Sequence, residues 1–208
     1  MNIPPSSPSL PTVVADGDVV AEKARWRALV RAARRELVDA WGATGREEAA
    51  EALAATGLEL VGAGTTVTLF EPMRTEPPVD RLVRELIGAG VRVLVPITLA
   101  RPRLDWADVA DQDRTPLGEE ALAQVDLALV PALAVGADGV RLGQGGGYYD
   151  TTLPLLRERS PGAAVVAVLH DHELVPAVPA DPHDARVDAV LRPGSGVTRL
   201  PLSPAERA

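Results

Sequence analysis

From residue 66 onward the chain alternates short, unbroken apolar runs with segments whose apolar positions recur at helical spacing. The runs Thr66–Phe70, Val91–Val95, Leu127–Val130, Ala164–Leu169 and Val187–Leu191 have strand length. They do not alternate with polar residues, the pattern of strands buried on both faces. Between the first two lies a predicted helix from Val79 to Ile87, closed by Gly88 and Gly90. Another is predicted over Gly118 to Gln124, and a third after the glycines at 143–147. Ahead of the first run, a helix is predicted from Val20 to Trp41. Trp26, Leu29, Val30, Ala33 and Leu37 share one face, and Arg25, Arg31, Arg34, Arg35 and Glu36 the other. Gly42 ends that helix, and Arg46 to Ala55 reads as a second, closed by Gly57. The β-α-β rhythm predicts an α/β fold: a single three-layer domain over 19–195, mostly parallel sheet with helices on both faces. Residues 1–18 are rich in Pro and Ser and read as a disordered tail, and 196–208 as a polar tail.

Composition narrows the function. A chain of 208 residues, 46% hydrophobic and 24% charged, reads as soluble and globular. The absence of cysteine excludes thiolate metal sites and Cys nucleophiles, and three histidines are too few for a His-rich metal cage. The apolar run Leu127–Ala137 is too short to span a bilayer and contains Pro131, so no membrane partner is expected. Residues 1–20 lack the pattern of a signal peptide, which leaves the cytoplasm as the expected location. A net charge of −8 argues against a nucleic-acid partner, while leaving room for a local basic site. Basic residues are arginine with one exception, Lys23, which hints that a compact ammonium is wanted there.

In such sheets, loops beyond the strand carboxyl ends carry the chemistry. The most informative one spans Val130 to Asp150. A strand enters the turn Ala137-Asp138-Gly139, then Arg141-Leu142-Gly143-Gln144-Gly145-Gly146-Gly147-Tyr148-Tyr149-Asp150 opens a helix. Glycine backbone next to a helix N-terminus makes an anion site. Arg141 can add a bidentate contact to phosphate and Asp150 a carboxylate for Mg²⁺. No Gly-Lys-Ser/Thr follows, and the spacing does not match GxGxxG, so this is neither a Walker loop nor a dinucleotide fingerprint. Both tyrosines of the chain close the cluster, which a solvated linker does not require. His170 and His172 flank Asp171 and invite a metal reading, but without a third ligand they read as a loop at a strand end. Trp106 reads as core.

The segment R-L-G-x-G-x-G-Y-Y-D after a strand ending in Val130-Pro131 resembles that of the 5-formyltetrahydrofolate cyclo-ligase family. Lys23-Ala24-Arg25-Trp26-Arg27 is similar to the family's K-x-x-x-R element. Thr66–Phe70 with Glu76, Val91–Pro96, and the segment from Ala180 to Asp188 also match in order. The resemblance covers most of residues 20–195. It implies MgATP-driven closure of 5-formyltetrahydrofolate to 5,10-methenyltetrahydrofolate, with ADP and phosphate released. Phosphorylation of the formamide oxygen would make a leaving group, N10 would attack the activated carbon, and phosphate would depart. Such chemistry asks for positioning and charge neutralisation rather than a protein nucleophile.

By resemblance, Lys23, Arg27, Arg141, Gly143, Gln144, Gly145, Gly146, Gly147, Tyr148 and Tyr149 are expected to bind ATP, with Arg141 catalytic. Glu76, Gly145, Gly147 and Tyr148 are expected to bind the folate, and Asp150 and Asp184 to hold Mg²⁺. Glu76 would accept paired N–H donors of the pterin edge. A monomer acting on a small-molecule folate and ATP is expected. Pro78, Val79, Gln144 and Thr151 depart from the common family pattern. An ATP-independent sugar-phosphate isomerase-like or acyl-CoA-transferase-like enzyme, and a folate-binding paralogue without turnover, remain the alternatives.

Overall fold

The computed structural model describes residues 18–182 and 184–202. The N-terminal tail expected over 1–18 lies outside them except for Asp18, whose carboxylate accepts the Val20 N–H at 2.9 Å and caps the first helix. That helix, α1 (Val19–Leu58), changes direction at Gly42, where φ is +60° and ψ −157°. Glycine adopts this backbone at little cost. The break lets the two halves pack on different partners, which the residues Trp41 and Gly42 foreshadow in the sequence.

The remaining elements are β1 (Thr66–Thr68), α2 (Asp80–Gly88), β2 (Arg92–Thr98), β3 (Leu104–Asp108), β4 (Leu127–Pro131), β5 (Ala134–Gly136), β6 (Arg141–Leu142), α3 (Tyr148–Arg159), β7 (Ala164–Val168), β8 (Leu174–Val175), β9 (Ala189–Arg192) and β10 (Gly196–Arg199). The helix predicted over Gly118 to Gln124 is present as a 3₁₀ helix, Glu119–Gln124. A seven-stranded sheet runs β10-β9-β7-β4-β1-β2-β3. Its five inner strands are parallel, and β3 and β10 are antiparallel edges. The C-terminal tail expected from 196 is thus in part an edge strand: Gly196 to Arg199 pair with Arg192 to Ala189. Residues 203–208 lie outside the described residues.

Alternation along the inner strands divides the core between the two faces. Ala128, Val130, Val165, Ala167 and Val190 point one way, against Leu153 and Leu156 of α3 and Leu122 of the 3₁₀ helix. Val67, Val93, Leu127, Leu129, Val166, Val168 and Leu191 point the other way, against Leu53 of α1 and Leu82 and Leu86 of α2. Both faces are covered, so the inner strands read as continuous apolar runs. A second, three-stranded sheet, β6-β5-β8, carries Leu133, Ala134, Leu142 and Val175 against Trp26 and Val30 of the first half of α1. This places the basic N-terminal half of α1 beside the segment entering the glycine cluster. Leu29, expected on the apolar face, is 41% exposed, whereas Arg34, expected outside, is 1% exposed.

Candidate active site

Chain connections run from β1 to β2 on one side of the sheet and from β4 through β7 to β9 on the other. The order therefore reverses between the neighbouring strands β1 and β4, where open parallel sheets form ligand crevices at their carboxyl ends. A cavity of about 550 Å³ opens there. Phe70 and Glu71 follow β1, Pro96 and Thr98 end β2, and Pro131 ends β4; the Gly143–Gly147 loop and the start of α3 form the opposite wall.

Gly145 and Gly147 have φ of +93° and +77°, and Gly147 is the N-cap of α3. These left-handed conformations suit glycine and turn the backbone into the first turn of α3, whose N–H groups lack intrahelical acceptors. Arg141 precedes the loop on β6 and is 4% exposed. Its Nη1 donates to Pro131 O at 3.3 Å, its Nη2 donates to Asp150 Oδ1, and its guanidinium lies 5.7 Å from the Tyr149 ring centroid. The remaining donor, Nε, has no acceptor among the described residues. Burial raises the Tyr149 pKa well above that of a free tyrosine; Arg141 pulls it down and Glu76 pushes it up. Tyr148 faces Arg101, whose guanidinium is 5.9 Å from the ring centroid. Both tyrosines line the cavity while packing against the core, so lining and packing coexist.

Lys23, Arg27 and Arg31 follow at i, i+4 and i+8 on α1 and share one stripe. Lys23 Nζ donates to Asp181 Oδ2 at 2.6 Å and to Asp184 Oδ1 at 2.7 Å. Burial would lower its pKa, but these two carboxylates outweigh it and hold the ammonium above its ordinary value. Arg27 Nε donates to Gly143 O at 2.9 Å, and Arg31 Nη2 to Gln144 O at 2.8 Å. The helix thereby grips the glycine loop through two of its carbonyls. Glu76, 3% exposed, accepts the Met73 N–H at 3.0 Å and the Gln144 side-chain amide at 3.1 Å. Gln144 also accepts Arg31 Nη2 at 3.0 Å, so its side chain joins α1 to the loop after β1.

Residues 19–193 match the model of the 5-formyltetrahydrofolate cyclo-ligase family. The chain belongs to this family. It is 36% identical over 175 residues to the 5-formyltetrahydrofolate cyclo-ligase of Mycolicibacterium smegmatis, covering 74% of this chain and 87% of that one. Its fold is similar to the 5,10-methenyltetrahydrofolate synthetase of Aquifex aeolicus, with a TM-score of 0.69 at 21% identity, covering 87% and 94% of the two chains. The corresponding protein of Mycoplasma pneumoniae gives 0.67 at 20% identity, covering 81% and 97%. Membership places the chain among the ligases of folate one-carbon metabolism.

Of the residues matched to the cyclo-ligase pattern, Glu76, Arg141, Gly143, Gln144, Gly145, Gly146, Gly147, Tyr148, Tyr149 and Asp150 line one cavity. Lys23, Arg27 and Asp184 are not among its lining residues. The two carboxylates expected to share Mg²⁺ are held by different cations, Asp150 by Arg141 and Asp184 by Lys23. The segment bearing Asp184 still reaches Arg141, whose N–H donates to Ala185 O at 3.2 Å. Arg31 and Arg101 line the cavity but were absent from the sequence-based set. The i+4 step from Arg27 points to Arg31; Arg101 sits on the β2–β3 hairpin, which no motif marks.

His170 caps, and His172 lies within, a 3₁₀ turn (Asp171–Glu173) that follows β7, a loop at the strand end. Their rings stack at 6.2 Å, and no group of three or more acidic or histidine side chains suited to a metal occurs among the described residues. His170 is fully buried, with Nε2 3.0 Å from Thr75 O and its ring edge against Trp41. Burial lowers its pKa below the ordinary 6.5, against an opposing pull from Glu173. The unfolded chain then binds a proton near pH 6.5 that the folded chain refuses, so stability falls as pH drops below that value. The slope from His170 is at most about 1.4 kcal/mol per pH unit. Thermal unfolding between pH 7.5 and 5.5 should show a steeper acid loss in the wild-type chain than in His170→Gln. Parallel curves would remove the histidine as its origin.

Proposed function

We propose that the chain closes 5-formyltetrahydrofolate to 5,10-methenyltetrahydrofolate with ATP and Mg²⁺, releasing ADP and phosphate. The observation that carries this reading is Arg141, a buried guanidinium at a glycine loop and helix N-terminus, in the same cavity as the buried carboxylate Glu76. The cavity thus offers both anion donors and, on Glu76, an acceptor for paired N–H groups. The volume of about 550 Å³ is of the size that small-molecule sites use.

In this reading the α3 first-turn amides and Arg141 neutralise the phosphoryl group as it moves from ATP to the formyl oxygen. N10 then attacks the formyl carbon and gives up its proton, the C–O bond breaks, and the departing phosphate carries the oxygen away and can take up that proton. Arg141 and the amides stabilise charge on both phosphorylated species, the main demand of phosphoryl transfer. Glu76 fixes the pterin so that N10 faces that carbon, and Tyr148 and Tyr149 exclude water from it. Lys23 and Arg27 act from behind the loop, Arg27 through Gly143 O and Lys23 through the segment bearing Asp181 and Asp184. Mg²⁺ is typically held by one or two carboxylates plus substrate phosphates. Asp150, at the cavity and paired there with Arg141, would hold such an ion through its half-exposed carboxylate, and the ion would supply charge neutralisation of the ATP phosphates.

Incubating the purified chain with 5-formyltetrahydrofolate and MgATP should raise the near-ultraviolet absorbance of the methenyl product, matched by ADP. Omitting ATP should abolish the rise. Folate binding without ADP release would instead make the chain a binding paralogue, and turnover independent of ATP would point to a different reaction class.

A further inference from the structure

Arg34 is placed where the helix pattern leaves no room for solvent, with 1% of its surface exposed. Its Nε and Nη2 donate to the two oxygens of Glu173 at 2.6 and 2.9 Å, and Nη2 also donates to Ala132 O at 2.5 Å. Glu173 is itself fully buried and also accepts the His170 N–H at 2.9 Å. A planar guanidinium gripped along one edge by a carboxylate and a carbonyl has no freedom to turn. The position of its last nitrogen, Nη1, follows from that grip. Nη1 has no hydrogen-bond acceptor among the described residues and lies 3.9 Å from Glu76 Oε1. Arg34 is the one cation paired with Glu76 among the described residues.

Burial lowers the Arg34 pKa, but Glu173 and then Glu76 more than offset this, so the guanidinium stays charged. A buried ion pair adds little stability compared with an apolar pair of similar volume. Glu173 and Arg34 therefore do something that packing alone does not require. Glu76 sits in a loop with two hydrogen bonds of its own, from Met73 and Gln144. Without a fixed cation behind it, a carboxylate this buried gains by turning toward solvent.

We propose that Arg34, locked by Glu173, is a positioning residue that holds the Glu76 carboxylate as a fixed double acceptor for paired N–H donors of the substrate's heterocycle. The inference deepens the folate reading above and rests on it. It predicts a defect confined to one substrate. In the variant Arg34→Met/Glu173→Leu both charges are removed together, so no unpaired ion is left between them. Its KM for 5-formyltetrahydrofolate should rise about tenfold to a hundredfold, as for a lost hydrogen bond to a charged group. Its KM for ATP should stay within about twofold. Glu76→Gln should give the same folate defect, and combining all three substitutions should add nothing further.

Arg34→Lys, which keeps the charge but not the fork, should show a smaller rise in folate KM and provides the measurement should the double variant fail to fold. A folded double variant with wild-type folate KM, or an unchanged folate KM in Arg34→Lys, would overturn the proposal. Full additivity with Glu76→Gln would do the same. A wild-type chain that neither binds nor converts the folate overturns the functional reading and this inference together, whereas an active wild type with an unaffected variant overturns the inference alone.

Discussion

Replacing Arg141 by methionine is expected to lower turnover about a hundredfold to a thousandfold, the effect of deleting one preorganised donor to a developing charge. Its guanidinium is the one buried cation at the glycine loop that lines the cavity among the described residues. Methionine fills the aliphatic volume and keeps the Tyr149 contact apolar. The structural cost is limited: Asp150, with a side chain 42% exposed, is free to solvate, and Pro131 O loses a long hydrogen bond of 3.3 Å. A loss of about 1 kcal/mol follows, or about 2–4 °C in Tm for a chain of this size. The informative measurement pairs kcat with Tm. Retention of more than about a tenth of wild-type kcat would remove Arg141 from the chemistry. A collapse of Tm in parallel with activity would make it a structural arginine. Arg141→Lys should recover little, because an ammonium cannot contact Asp150, Pro131 O and an anion from one plane.

The same residues show what a one-dimensional pattern can carry. The five inner strands were legible because burial on both faces demands unbroken apolar runs, and the family-specific loop because glycines mark it. β3 and β10 were not. In β3, Leu104, Trp106 and Ala107 are buried while Asp105 and Asp108 are only partly so, and edge strands mix polarity in this way. β5, β6 and β8 are two or three residues long and leave no periodicity to read. Their function is local all the same: they hold β6, and with it Arg141, against the first half of α1.

Arg34 was placed on the solvent face because it is charged. Its spacing says otherwise, since it falls four residues after Val30 and eight after Trp26, both buried. Position on the helix outranked side-chain type, and the partner that makes this tolerable, Glu173, lies 139 residues away in sequence. No local rule connects two such positions. The likeness to cyclo-ligases supplied the cavity wall from Arg141 to Asp150, but the support behind Glu76 came only from the fold.

Breaking that support from the carboxylate side should produce the largest change in stability. Glu173→Leu leaves the Arg34 guanidinium buried with Ala132 O and the more distant Glu76 as its remaining partners, and leaves the His170 N–H without its acceptor. Removing one member of a buried ion pair costs about 3–5 kcal/mol. In a chain of this length that lowers Tm by about 6–20 °C. Adding Arg34→Met should restore part of the loss, because the stranded charge is gone. The residue of the loss, about 1–3 kcal/mol, belongs to the His170 N–H and Ala132 C=O left unpaired. A double-mutant cycle by urea unfolding measures the coupling directly and should exceed about 2 kcal/mol. If the double variant is no more stable than Glu173→Leu alone, the penalty does not come from the stranded guanidinium. Lost packing or the His170 contact would then account for it, and the ion pair would not be the element that ties α1 to the turn after β7.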